Sequence, residues 1–191
     1  MSSEKISKNR RFFALQGGLE RLEQLIGSKE ETDMGYVIFD LDGTVICSKH
    51  RQLNKPGGSL DLDHWRENCT AEKIAADSLL PLAESMKAIY EAGHTIIVCT
   101  SRICQSYDME FLDRHGLKYH HFISRHETDA RADGEYKIAR LEELAKQLGF
   151  PNVASMNAIM FDDNLEVIRA MVSIGVHCFD ATRENARKIA A

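Results

Sequence analysis

Short apolar runs alternate with longer segments of helical periodicity along most of the chain. Five apolar runs predict buried strands at residues 36–39, 95–99, 119–123, 158–161 and 175–179. Between and after them, the spacing of apolar residues predicts helices at residues 80–92, 105–115, 134–148, 164–173 and 183–190. Strands that are apolar throughout are typical of a parallel sheet covered on both faces. The pattern therefore predicts an α/β, Rossmann-like fold with a central parallel sheet of about five strands and helices on both faces.

Two segments depart from this alternation. Residues 1–34 carry leucines and an isoleucine at helical spacing, which predicts an N-terminal helical extension. Such a helix either packs on the main domain or serves self-association, and the oligomeric state stays open. Residues 46–77 are mixed and rich in turns, which predicts a small insert within a domain that spans residues 35–191.

Polar residues follow four of the predicted strands. Because ligands of parallel α/β sheets bind beyond the carboxyl ends of the strands, these residues are candidates for one site. They are Asp40, Asp42, Gly43 and Thr44 after the first strand, Thr100, Ser101 and Arg102 after the second, Ser124 and Arg125 after the third, and Asp162 and Asp163 after the fourth.

The acidic residues of this set predict a magnesium site. Asp40 and Asp42 are two residues apart in an extended segment, so their side chains point to one side and repel unless a cation lies between them or one keeps a proton. Asp162 and Asp163 add two further carboxylates. Oxygen ligands of this kind suit Mg²⁺, which in such surroundings indicates phosphate chemistry.

The other residues suit a phosphoryl transfer. One carboxylate can serve as a covalent nucleophile, and a second can serve as general acid and then general base. Thr100 offers a hydroxyl group to a phosphate oxygen, and Lys137 is placed near a helix start to neutralise charge on the nucleophile and the phosphoryl group. Gly43 allows a sharp turn where the backbone comes close to a ligand.

The run Phe39-Asp-Leu-Asp-Gly-Thr44 resembles the first motif of the haloacid dehalogenase (HAD) superfamily of phosphohydrolases. Thr100, Lys137 and the pair Asp162-Asp163 resemble its second, third and fourth motifs, in the same order. The resemblance implies a nucleophilic Asp40, an acid–base Asp42, and Mg²⁺ bound by Asp40, Asp42, Asp162 and Asp163. The spacing of the motifs leaves no room for a large cap between the second and third, which implies an open site.

A second resemblance concerns the substrate. The runs Thr100-Ser-Arg102 and Ser124-Arg125, and Arg131 ahead of Lys137, are similar to the 3′-phosphatase domain of bacteriophage-type polynucleotide kinase/phosphatase. This implies that Arg102, Arg125 and Arg131 contact a phosphate or the nucleotide backbone. Gly43, Thr44 and Ser101 are further candidates for substrate contact. Arg102, Arg125 and Arg131 also have an alternative, which is ion pairing with Glu127, Asp129, Asp133 or Glu135.

Removal of a 3′-phosphate from a polynucleotide end is therefore the first functional prediction. A small-molecule nucleotidase acting on 5′- or 3′-mononucleotides is the alternative, and a non-catalytic binding protein on the same fold is a third. The chain contains no GxxxxGK[ST] motif, so no kinase half accompanies the phosphatase motifs.

Charge and cysteine content restrict the partner and the compartment. The net charge of −5 argues against a broad basic face for nucleic acid and favours recognition of a phosphorylated strand end or a nucleotide. Five cysteines without a C-x-x-C pair predict reduced thiols and a cytoplasmic protein. No apolar run is long enough to suggest a membrane span.

Three further features are expected to have structural roles. Asp61 and Asp63 repeat the Asp-x-Asp spacing without a preceding apolar strand, and Cys99 is expected in the core. His120, His121 and His126 lack the usual spacing of zinc ligands.

Overall fold

A computed structural model describes residues 35–57 and 60–190, so the predicted extension at residues 1–34 lies outside the described part. The central sheet consists of the five strands β1 (Tyr36–Phe39), β4 (Thr95–Cys99), β5 (His121–Ile123), β6 (Ile159–Asp162) and β7 (His177–Asp180). These strands are all parallel and lie in the order β5-β4-β1-β6-β7. The predicted α/β fold is confirmed, and each predicted sheet strand is present within two residues of its expected bounds.

Helices connect the strands and cover both faces of the sheet. They are α3 (Leu82–Glu91), α4 (Ser106–Arg114), α5 (Asp133–Gln147), α6 (Leu165–Ser173) and α7 (Ala181–Ala190). A 3₁₀ turn at Val153–Met156 precedes β6. None of the helices among the described residues is long and apolar enough to cross a bilayer.

The core is divided by the sheet into two layers. Successive residues of a strand point to opposite faces, so Val37 and Phe39 pack into one layer and Ile38 into the other. The central strand β1 is therefore buried on both sides, which explains why its sequence is apolar without alternation. This burial fixes the end of β1, from which Asp40 emerges.

The segment between β1 and α3 forms a small folded insert. Its elements are β2 (Ile46–Cys47), a 3₁₀ turn (Lys49–Arg51), α1 (Leu62–Glu67), α2 (Ala71–Ala75) and β3 (Ser78–Leu79). The strands β2 and β3 pair in antiparallel orientation, with Ile46 opposite Leu79. The sequence predicted a turn-rich insert here but not this hairpin, because each strand is only two residues long. No large cap domain is present in the described part of the chain.

Candidate active site

Three neighbouring strands, β4, β1 and β6, deliver the main acidic and hydroxyl groups to one edge of the sheet. The backbone N–H of Asp40 donates to the Phe161 carbonyl at 3.0 Å, and that of Thr100 donates to the Ile123 carbonyl at 2.9 Å. These bonds extend the sheet by one residue beyond β1 and β4. Asp40, Thr100 and Asp162 are all buried, so their side chains are fixed by the sheet rather than by solvent.

Lys137 joins two of these carboxylates. It projects from the second turn of α5, and its Nζ lies 2.7 Å from Asp40 Oδ1 and 2.7 Å from Asp162 Oδ2. Burial alone would lower the pKa of Lys137, but the charges of Asp40 and Asp162 raise it above its ordinary value. The lysine is therefore a fixed positive charge between the two acids.

Asp40, Asp162 and Asp163 form an acidic cluster. One carboxylate oxygen from each lies within 4.8 Å of the others, and no other group of this kind occurs among residues 35–57 and 60–190. Burial raises the pKa of Asp40 well above its ordinary value and that of Asp163 to about 6, and in both cases Asp162 adds to the rise. The cluster thus has more negative charge than Lys137 compensates, and its all-oxygen donor set suits a hard divalent cation.

Gly43 makes room for the third acid of the cluster. Its φ of +74° turns the chain after Asp42, and its N–H donates to the Ile46 carbonyl at 2.8 Å. A Cβ at this position would lie 2.6 Å from Asp163 Cγ and would overlap the carboxylate oxygen. The absence of a side chain therefore lets Asp163 approach the first turn.

Asp42 lies beside the cluster but has different partners. Its Oδ1 accepts a hydrogen bond from the Ser48 hydroxyl at 2.6 Å, and lies 3.2 Å from Arg102 Nη2 and 3.7 Å from Arg51 Nη2. Burial raises the pKa of Asp42, while Ser48 and Arg51 act in the opposite direction. All three contacts fall on Oδ1, so Oδ2 is the oxygen left to exchange a proton.

Arg51 and Arg102 belong to a buried ion-pair network that ties the insert to the sheet. Arg51 binds Asp77 through two hydrogen bonds of 2.9 Å, and Arg102 Nη2 lies 3.2 Å from the same carboxylate. Arg102 also donates to Asp108 at 2.9 Å. The guanidinium groups therefore meet at Asp77, and the indole ring of Trp65 covers them, at 4.1 Å from Arg51 Cζ and 5.5 Å from Arg102 Cζ.

The sequence singled out Arg102 but not the rest of this network. Arg51 and Asp77 occur in the insert, which has no clear hydrophobic period, and Asp108 lies in the first turn of α4; the partners are 6 to 26 residues apart along the chain. A buried arginine has no sequence signature of its own.

Three predicted hydroxyl groups lie at the same edge. The Thr44 and Ser101 hydroxyls are buried and make no hydrogen bond, while Thr100 Oγ1 accepts from the Arg102 backbone N–H at 3.2 Å. Buried hydroxyls without partners are uncommon in folded proteins. Contact of these hydroxyl groups with a phosphate stays a prediction. The lack of a protein partner for the Thr44 and Ser101 hydroxyls favours it.

Arg125 and Arg131 are engaged in the loop before α5. Arg125 donates to the Ser101 carbonyl at 3.1 Å and to Asp133 at 2.7 Å, and it packs on the Tyr136 ring at 4.3 Å. Arg131 forms an ion pair with Asp129. Both arginines thus have ion-pair partners that the sequence offered as the alternative, and their contact with a substrate stays a prediction.

The residues expected to have structural roles are accounted for in the same way. Asp61 caps α1 by accepting from the backbone of Asp63 and His64 at 3.1 and 3.2 Å. His120 Nδ1 accepts from the Ile96 backbone at 3.0 Å, and Cys99 is buried in the core. The residues of the four predicted motifs therefore remain the candidates for the active site at the edge of the sheet.

Comparison with known proteins places the chain among phosphatases. The family model described as bacteriophage T5 5′-deoxynucleotidase matches residues 29–189. The chain is 32% identical over 170 residues to the 5′-deoxynucleotidase of Escherichia phage T5, a match that covers 78% of this chain and 68% of that protein. This chain belongs to the T5 5′-deoxynucleotidase family. It is therefore a phosphoric monoester hydrolase, as its motifs predicted.

Two solved structures of low sequence identity share the fold of this chain. A haloacid dehalogenase-like family hydrolase from Streptococcus pneumoniae matches with a TM-score of 0.57 and 13% identity, over 77% of this chain and 84% of that one. The structure of a Pnkp1/Rnl/Hen1 complex matches with a TM-score of 0.54 and 20% identity, over 81% of this chain. The match covers 47% of that longer chain. The family member described here thus has the HAD fold.

Proposed function

We propose that this phosphatase hydrolyses nucleoside 5′-monophosphates through an aspartyl-phosphate on Asp40. Kinship with a 5′-deoxynucleotidase carries the proposal, because that relative is 32% identical over most of the chain. The small-molecule nucleotidase, which the sequence offered as the alternative, thereby becomes the first candidate function. Membership in a family of hydrolases also favours an enzyme over a non-catalytic binding protein.

In the first step Asp40 attacks phosphorus, and the bond from phosphorus to the ester oxygen breaks. Asp42 gives its proton to the departing oxygen, which leaves as the nucleoside hydroxyl. The position of Asp42 beside Asp40, with Oδ2 free of the contacts that hold Oδ1, supports this role. Lys137 opposes the rise that burial causes in the pKa of Asp40, and it offsets charge on the transferring group.

In the second step a water oxygen attacks phosphorus, and the bond from phosphorus to Asp40 breaks. Asp42, now a carboxylate, takes the proton of that water and is restored for the next cycle. The products are inorganic phosphate and free Asp40. The hydroxyls of Thr100 and Ser101 are candidates to bind the phosphate oxygens, because they lie at the end of β4 and Ser101 lacks a protein partner.

Asp40, Asp162 and Asp163 are the residues that would hold Mg²⁺, with the Asp42 backbone carbonyl as a further ligand. The grouping of three carboxylate oxygens within 4.8 Å of one another, with Lys137 as the cation bound to two of these acids, supports this fit. When bound, the ion would supply positive charge against the phosphate oxygens.

The removal of 3′-phosphates from polynucleotide ends stays the second candidate. The Ser101-Arg102 and Arg125 resemblances favour it, and so does the open character expected of a site without a large cap. Against it, both arginines are held by acids or carbonyls of the protein.

A substrate panel separates the two candidates. Phosphate release would be measured with deoxynucleoside and ribonucleoside 5′-monophosphates, 3′-monophosphates, and a 3′-phosphorylated oligonucleotide, with and without Mg²⁺. We expect the highest kcat/KM with 5′-monophosphates. Cleavage confined to the oligonucleotide would overturn the proposal in favour of the second candidate.

Two aspartate variants supply the controls. Asp40→Asn is expected to abolish turnover and the acid-stable trapping of a phosphoenzyme. Asp63→Asn changes an acid in the other Asp-x-Asp pair, where the side chain is 80% exposed, and is expected to retain full activity. Equal activity in Asp40→Asn and wild type would refute the covalent mechanism.

A further inference from the structure

We propose that Trp65 is the surface on which the base of the leaving nucleoside stacks, and that it gives this enzyme its preference for nucleotides over phosphate esters without a base. The inference rests on the proposed function. Trp65 lies in the small insert and would recognise the base, which is the part of the substrate remote from phosphorus.

The position of the proton donor fixes where the leaving group lies. In an in-line displacement the ester oxygen departs on the side of phosphorus opposite the nucleophile, and it must be within reach of Asp42. The guanidinium groups of Arg102 and Arg51 lie 3.2 and 3.7 Å from Asp42 Oδ1, and the Trp65 ring packs on Arg51. The contacts through Arg51 keep the ring centroid at most about 9 Å from Asp42 Oδ1, a distance that a nucleoside spans.

Burial does not explain this tryptophan. Helix α1 has no buried residue, and Trp65 itself is only half-buried. Trp65 belongs to neither of the two hydrophobic core clusters of the described residues. The side chain is thus held at the site without being part of the hydrophobic core.

Arg51 packs against one face of the Trp65 ring and so fixes the orientation of the indole plane. The guanidinium lies 4.1 Å from the ring centroid, and two hydrogen bonds to Asp77 fix the guanidinium in turn. A rigid aromatic surface loses little conformational entropy when a second ring packs on it. An aromatic side chain can stack on any of the bases, so this contact would suit nucleotides that differ in their base.

The kinetic test compares a nucleotide with its baseless analogue. kcat and KM would be measured for deoxyadenosine 5′-monophosphate and for 2-deoxyribose 5-phosphate, in wild type and in three variants. Trp65→Ala removes the ring, Trp65→Leu keeps an apolar cover over the arginines, and Trp65→Phe keeps an aromatic face. Leu62→Ala is the matched control, since Leu62 is a 52% exposed apolar residue of the same helix.

We expect the wild-type preference for the nucleotide to fall roughly 5- to 100-fold in the alanine and leucine variants. The loss should appear mainly in KM, because stacking is present in both the ground state and the transition state. Trp65→Phe should retain most of the preference, and Leu62→Ala all of it. A leucine variant that retains the preference overturns the inference, since Trp65 would then only shield the arginines.

Fluorescence provides a second readout, because Trp65 is the single tryptophan of the chain. With Asp40→Asn to prevent turnover, deoxyadenosine 5′-monophosphate should quench the emission, and 2-deoxyribose 5-phosphate should not. Equal responses to both ligands would contradict base stacking. If the proposed function itself fails, wild type will release no phosphate from 5′-nucleotides. The fluorescence titration then decides separately whether a base binds Trp65.

Discussion

Replacing Gly43 with alanine tests whether the position of Asp163 determines metal binding. The new Cβ would lie 2.6 Å from Asp163 Cγ and 3.1 Å from its Cβ, well inside van der Waals contact. Because the overlapping atoms are the end of a flexible side chain, the overlap is relieved by rotation of the Asp163 carboxylate rather than by movement of the backbone. The variant should therefore lose an aligned ligand while keeping its fold.

Gly116→Ala is the matched control for backbone strain. Gly116 follows α4 with a φ of +68°, close to the +74° of Gly43, and a Cβ there would meet nothing within 4 Å. An L-residue in this region costs about 1–2 kcal/mol, so both variants should lose a similar amount of unfolding free energy. Urea unfolding of the metal-free proteins measures that shared loss.

The two variants should differ in their response to Mg²⁺. In Gly43→Ala the Mg²⁺ concentration for half-maximal activity should rise about 10- to 100-fold, the usual effect of disturbing the orientation of a metal ligand. In Gly116→Ala it should match wild type. The reasoning is refuted if the Mg²⁺ dependence of Gly43→Ala equals that of Gly116→Ala, because Asp163 would then not hold the ion.

Three other outcomes follow from the packing and charge of the site. Lys137→Met leaves two buried carboxylates without their cation, so chemical unfolding in EDTA should show a loss of about 3–5 kcal/mol, partly restored by Mg²⁺, together with loss of turnover. Gly134→Ala puts a Cβ 2.8 Å from Ala170 Cβ between α5 and α6, which should cost about 1–3 kcal/mol in urea unfolding and be relieved by a second change, Ala170→Gly. Burial raises the pKa of Asp163 to about 6, so protons compete with Mg²⁺ below that pH. Magnesium titrations should show the half-saturating concentration rising as pH falls through 6. Asp163→Asn should weaken this dependence without removing it, because the pKa of Asp40 is raised as well.

The sequence predicted the sheet and its acidic edge well, for a physical reason. Strands that are buried on both faces must be apolar throughout, so the first polar residue after each one marks the end of the sheet. Asp40, Thr100 and Asp162 could therefore be assigned to one edge without knowing the strand order. Lys137 could be assigned because a helix start returns to that same edge.

The same logic fails in the insert. Its strands and helices are two to six residues long, too short for any hydrophobic period to develop. What holds it in place is the contact of Arg51 with Asp77, two residues 26 positions apart whose charges are common in loops. The interpretation of Arg102 as a phosphate ligand had the same weakness, because the acids that bind it, Asp77 and Asp108, are recognisable as its partners only in the folded chain.

The balance of charge at the site explains how an acidic protein can process an anionic substrate. Two neighbouring groups of charges at the site contain six carboxylates and three permanently cationic side chains. One group consists of Asp40, Asp162, Asp163 and Lys137, and the other consists of Asp42, Asp77, Asp108, Arg51 and Arg102. Burial raises the pKa of Asp108 and of Asp163 to about 6, and neighbouring carboxylates add to the rise in both cases. A phosphate dianion approaching this edge would meet net repulsion if every acid were ionised. A divalent cation in the acidic cluster reverses much of that local field, so binding of substrate should depend on the metal as strongly as the chemical step does.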